Sequence, residues 1–146
     1  MLTTTFELLH KHGACTHRYK HLAKALCGIA KYGHTTPIPL AKLLDTNGIE
    51  DCLWALRATD PTQDAERDIL ARKFACRCVR ETPLGDGRTV WDLLTDERSR
   101  NAVVVAEAFL LGKATNEELA AAWSAAWDAA WEYQAKILKE LLEGQQ

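Results

Sequence analysis

The chain has 146 residues, 47% of them apolar, and a net charge of −2. At this length one domain covering residues 1–146 is expected, with roughly 68–70% of the unfolded surface buried and no need of a disulfide or metal staple. No run approaches the ~20 apolar residues of a membrane helix, and so small a net charge predicts no partner by bulk attraction.

The distribution of charge says more than its sum. Residues 1–42 hold six Lys or Arg against one acid, Glu7, together with all five histidines, whereas residues 43–146 hold twelve basic against nineteen acidic side chains. The asymmetry marks either a basic contact face or an attraction between the two parts. The start, "MLTTTFELLHKHG", has neither a charged leader region nor a long apolar run, so a secretory signal is not expected. Cysteines occur at 15, 27, 52, 76 and 78. An odd count without an export signal fits free thiols in a reducing cytoplasm.

Nearly every segment is predicted to be helical. "CTHRYKHLAKALCGIAKYG" places Tyr19, Leu22, Leu26 and Ile29 at helical spacing, and Gly33 is suited to a left-handed cap. Pro37 and Pro39 enforce an extended stretch, after which Pro39 can begin a helix, "PLAKLLDTNG", that Gly48 closes. "IEDCLWALRAT" is a short helix with Ile49, Leu53, Trp54 and Leu56 as its apolar set. The next begins with Asp60 as N-cap and Pro61 in its first turn, with Gln63 able to complete a capping box. Its apolar series is Ile69, Leu70, Phe74 and Cys78. "PLGDGRT" is a loop. A helix through "DERSRNAVVVAEAFLLGK" is capped by Thr95 or Asp96 and ended by Gly112.

The last helix carries the clearest signal. Thr115 and Glu118 form a capping box, an alanine-rich run follows, and the helix can continue to Gly144. No useful period-2 alternation occurs anywhere. The expected fold is all-α, a compact bundle of about six or seven helices with a long C-terminal Ala/Trp-rich helix.

Trp123, Trp127 and Trp131 recur every fourth residue of that helix, so they lie within about 80° on one side. Leu119, Ile137, Leu138, Leu141 and Leu142 broaden the stripe. Three open indoles exceed what monomers normally leave uncovered. A core ladder covered by this chain's own helices is the favoured expectation, and a homodimer seam or partner groove is the alternative. Glu117, Glu118, Asp128 and Glu132 argue against stacking of nucleic-acid bases.

Few constellations carry chemistry. His17 and His21 have the four-residue spacing at which two imidazoles can share Zn²⁺, with Cys15, His10 or His12 as a further ligand. A solvated, weakly basic helix face explains the same residues more simply, so no metal is assigned. No nucleophile elbow, phosphate-binding glycine loop or zinc-protease motif is present, and no catalytic residue or cofactor is assigned. Arg18, Lys20, Lys24 and Lys31, with Lys11 and Lys42, form a basic set that can meet an acidic protein or a phosphate backbone.

Two blocks resemble a known family. They are "ACTHRYKHLAKALCGIAKYGHTTPIPLAKLLDTNGIEDCLWALRA" (residues 14–58) and "DERSRNAVVVAEAFLLGKATNEELAAAWSAAWDAAWEYQAKIL" (residues 96–138). They are similar to small immunity-protein-like chains of tailed phages and prophages, in which a "DALWALRA"-like stretch precedes a helix ending in a "GEATEEELAAAW"-like junction and an Ala- and Trp-rich tail follows. Here these are Asp51 to Ala58 and Gly112 to Trp123. The tail of the family is often much longer; here it stops after three tryptophans. The resemblance implies a helical fold and a phage or prophage origin, and implies no reaction. From it comes the expectation of a non-enzymatic protein in the host-cell cytoplasm that binds a host or phage protein, in concrete form an anti-CRISPR-like inhibitor of host defence. A nucleic-acid-binding accessory protein using the basic first third, and a metal-dependent enzyme on the His/Cys cluster, are the alternatives.

Overall fold

The computed structural model describes residues 1–143. The all-α expectation is met. The described residues form nine α-helices, two 3₁₀ turns and one two-stranded sheet. The count exceeds the expected six or seven because it includes three helices of only four to six residues. The chain gathers into two compact units, Met1–Asp68 and a second from Ile69 onward.

In the first unit β1 (Thr3–Thr4) pairs antiparallel with β2 (Ile38–Pro39), Thr4 opposite Ile38. The two prolines thus yield a short strand that carries no helix. Around it stand α1 (Phe6–Lys11), α2 (Thr16–Ala25), α3 (Ile29–Tyr32), α4 (Leu40–Asn47) and α5 (Ile49–Ala55). Thr5 caps α1, its hydroxyl accepting from the Leu8 amide at 3.0 Å. The core joins Leu2, Phe6, Leu9, Leu22, Leu26, Ile38, Leu40 and Leu43. The Phe6 ring meets Tyr19 and Tyr32 edge-on at 5.4 and 6.0 Å, the arrangement that aromatic quadrupoles prefer.

Several sequence expectations for this unit are corrected. The helix through Tyr19 does not run on to Gly33. It ends at Ala25, because Cys27 and Gly28 take positive φ values of 63° and 90°, and a separate turn, α3, then reaches Gly33. Pro39 precedes α4 as its N-cap and is not its first residue. Of the apolar set on α5, Ile49 and Leu53 are exposed, and Ala55 is the buried residue. Asp60 does cap, its side chain accepting from the Thr62 amide. Gln63, however, completes no capping box. Its Oε1 accepts from the Thr3 amide at 2.9 Å and its Nε2 donates to the Met1 carbonyl at 3.0 Å, which ties the chain start to the turn Pro61–Gln63.

The second unit contains α7 (Val90–Leu93), α8 (Glu97–Leu110) and α9 (Asn116–Glu143), with the later turns of α6 (Asp64–Glu81). Cys76 is the buried residue of α6, while Ile69, Leu70 and Phe74 are exposed, contrary to the apolar series expected. Arg80 of α6 makes a two-pronged ion pair with Glu107 of α8 at 2.8 and 2.9 Å, and its guanidinium lies 3.5 Å from the centre of the Trp91 ring. Asp96 caps α8. The capping box predicted for α9 is present: Thr115 N–H donates to Glu118 Oε2 at 2.7 Å, and Glu118 N–H donates to the Thr115 hydroxyl at 3.2 Å. α9 has 28 residues, about 42 Å at 1.5 Å each. The predicted stop at Gly144 lies outside the described residues.

Candidate functional site

α8 and α9 form an antiparallel hairpin whose closeness is set by small side chains. Ala106 on α8, and Leu119, Ala122 and Ala129 on α9, are the buried residues. Alanine lets two helix backbones approach, and here it covers the side of α9 that faces α8. Arg98 clamps the far end of the hairpin, donating to both carboxylate oxygens of Glu132 at 3.0 and 2.8 Å while also bonding Asp96. Hydrogen bonds to Glu132 first, and to Asp96 second, hold the guanidinium pKa above its usual value, and the Arg98–Glu132 bonds draw Glu132 below the ordinary carboxylate range.

This packing overturns the favoured reading of the tryptophans. Trp123, Trp127 and Trp131 are 54%, 59% and 63% exposed. At 100° per residue they sit roughly 130° round the helix from the Leu119–Ala122–Ala129 face, so they are not a core ladder. Ile137, Leu138, Leu141 and Leu142 continue the open stripe, each 41–61% exposed. The result is an apolar ribbon about 28 Å long from residue 123 to 142, beyond the scattered apolar side chains that a surface normally shows.

The first unit gathers part of the expected basic set. Arg18 is committed inside the fold. Its Nε lies 2.7 Å from Asp51 Oδ2, and its Nη2 donates to the Asn47 carbonyl. Asn47 answers, its Nδ2 donating to Asp51 Oδ2 at 2.8 Å and to the Arg18 carbonyl at 3.1 Å. These three residues line a cavity of about 230 Å³ with Leu9, Leu22 and Trp54, and Asn47 Oδ1 is buried there without a hydrogen-bond partner. Lys20, Lys24 and Lys31 stay exposed on α2 and α3. His17 and His21 share the α2 surface with Lys20 and Lys24, and His21 Nε2 is 3.0 Å from the Thr46 carbonyl oxygen. Cys15 is exposed just before that helix. Among the described residues no three His, Cys, Asp or Glu side chains are arranged to hold a metal ion, and no helix is long and apolar enough to cross a membrane.

Sequence reasoning found the ribbon's residues and missed which side of α9 is open. It also missed Asn47 and Asp51 as partners of Arg18. Comparison with family models, curated proteins and solved structures returns no match.

Proposed function

We propose that the protein acts without chemistry of its own, by binding another protein chain through the open indole ribbon of α9. The observation that carries this reading is the half-exposure of Trp123, Trp127 and Trp131 on the side of α9 turned away from α8. Tryptophan is the residue most enriched at binding hot spots, because a large, rigid ring gives contact area at small entropic cost. The likeness of residues 14–58 and 96–138 to phage and prophage immunity-like chains supports a phage setting in the host cytoplasm. Inhibition of a host defence system is the form of the function to test.

The test is phage plating on defended bacteria that express the wild-type chain or the double variant Trp127→Glu, Trp131→Glu, with affinity capture of bound proteins in parallel. Raised plating and a captured defence component that are both lost in the variant support the reading. A wild-type chain that captures nothing and leaves plating unchanged overturns it.

A further inference from the structure

α2 presents one wholly basic face to solvent. At 100° per residue His17, Lys20, His21 and Lys24 fall within an arc of about 100°, and all four are exposed. Leu22, on the far side of the helix, is buried, and Tyr19 beside it packs on Phe6. The ten residues Thr16–Ala25 include no Asp or Glu. Arg18 lies off this face and is taken up by Asp51 and the Asn47 carbonyl.

α4 extends the face. Asn47 Nδ2 donates to the Arg18 carbonyl, and His21 Nε2 lies 3.0 Å from the Thr46 carbonyl oxygen, so later residues of α2 meet earlier residues of α4. Lys42, one turn before Thr46, therefore lies toward the Lys24 end of α2, and it too is exposed. The acids of α4 and α5 stand aside. Asp51 is held by Arg18 and Asn47, Glu50 lines the cavity next to Arg18, and Asp45 is turned about 100° round α4 from Thr46, beyond Lys42. Among the described residues no carboxylate forms an ion pair with Lys20, Lys24 or Lys42.

We infer that this face binds the phosphate backbone of double-stranded DNA. Its three ammonium groups have no counter-charge in the fold, and phosphate supplies one while releasing condensed cations from the duplex. The composition of the face separates DNA from a protein partner. Protein interfaces centre on aromatic and apolar anchors and are depleted in lysine, and His17, Lys20, His21, Lys24 and Lys42 include no such anchor. The face also carries no Phe, Tyr or Trp on which the bases of a single strand would stack. A convex helix face fits the ~12 Å major groove of B-DNA, whereas the deep, narrow major groove of duplex RNA does not admit it. From residue 17 to 24 the face runs about 10 Å, three phosphate steps at about 3.4 Å each. Phosphate contacts carry no sequence information, so the binding is sequence-independent. This function lies in the first unit, goes beyond the reading of the α9 ribbon, and uses none of its residues.

The test is fluorescence anisotropy of a labelled DNA duplex of about 20 base pairs, titrated with the full chain from roughly 20 to 200 mM salt. Three lysine–phosphate contacts predict a log–log slope near −2.7, a fall in affinity of about 500-fold over that range. The double variant Lys20→Gln, Lys24→Gln is expected to reduce the slope to about −0.9, a fall of about eightfold, and addition of Lys42→Gln to abolish binding. Lys113→Gln, on exposed surface of the second unit, is expected to bind as the wild type does. All these lysines are exposed, so far-UV circular dichroism is expected to be unchanged. Absence of binding at the lowest salt overturns the inference, as does a slope that the double variant leaves unaltered. An RNA duplex bound as tightly as DNA, or poly-glutamate or vesicles of anionic phospholipid bound more tightly, overturns the assignment to DNA. Failure here leaves the ribbon reading standing, because plating and capture with the Trp127→Glu, Trp131→Glu variant test that reading separately.

Discussion

Arg18 shows how a residue that reads as a surface cation becomes structural. Its side chain is 40% exposed and that of Asp51 24%, so the pair is worth more than an open surface ion pair and less than a buried one. Removing the guanidinium leaves Asp51 with only the Asn47 amide and strips a charged donor from the Asn47 carbonyl. Arg18→Ala is therefore expected to destabilise the first unit by about 1–3 kcal/mol, read as a lower urea midpoint. Lys24→Ala, on open surface, is expected to stay within about 0.5 kcal/mol. Glu107 supplies a pH-dependent counterpart. The Arg80 hydrogen bonds hold its carboxyl below the ordinary glutamate range, against a smaller upward push from burial. A depressed folded-state pKa means that the stabilisation is present above the ordinary range and is lost as pH falls through the lower, folded-state value. Denaturation midpoints on acidification should consequently fall more steeply for the wild type than for Glu107→Gln, and equal slopes would show that the pair contributes nothing.

Element by element, ends were more legible than faces. Asp60, Asp96, Thr115 with Glu118, Gly48 and Gly112 mark boundaries because a cap is a local contract between a side chain and orphan amides a few residues away. The break at Cys27–Gly28 escaped notice because a non-glycine residue in the left-handed region has no local signature. Faces depend on neighbours that spacing does not name. α9 has two apolar sides, one of alanine and one of tryptophan and leucine, and periodicity cannot rank them. A rule that buries the largest side chain chose the indoles; the requirement for a close helix pair chose alanine. Stability should follow the second rule. At concentrations low enough for a monomer, Ala129→Leu is expected to cost about 1–3 kcal/mol by overpacking against α8, whereas Trp127→Ala is expected to cost well under 1, since alanine is the better helix former and little burial is lost. Urea titrations of the two variants decide the order; a larger loss for Trp127→Ala would restore the ladder to the core.

For the whole molecule, an open ribbon on a folded chain is a statement about concentration. Three of the five indoles lie on that ribbon, while Trp54 and Trp91 are part-buried within their own units and lie against Arg57 and Arg80. Emission therefore reports mainly on what covers α9. If a second copy covers it, dilution exposes the three α9 indoles together and the spectrum shifts to the red, with no change in helical circular dichroism. Mass action then links association to stability. In a dimer each tenfold rise in protein concentration adds about 1.4 kcal/mol to the unfolding free energy, so the urea midpoint would climb with concentration for the wild type and remain fixed for the Trp127→Glu, Trp131→Glu variant. Emission that stays red at every concentration, with a midpoint that never moves, is the signature of a ribbon waiting for a different protein. A blue spectrum that persists at the lowest concentration measured would mean that one chain shelters its own indoles, and the open face on which the docking reading depends would not exist in solution.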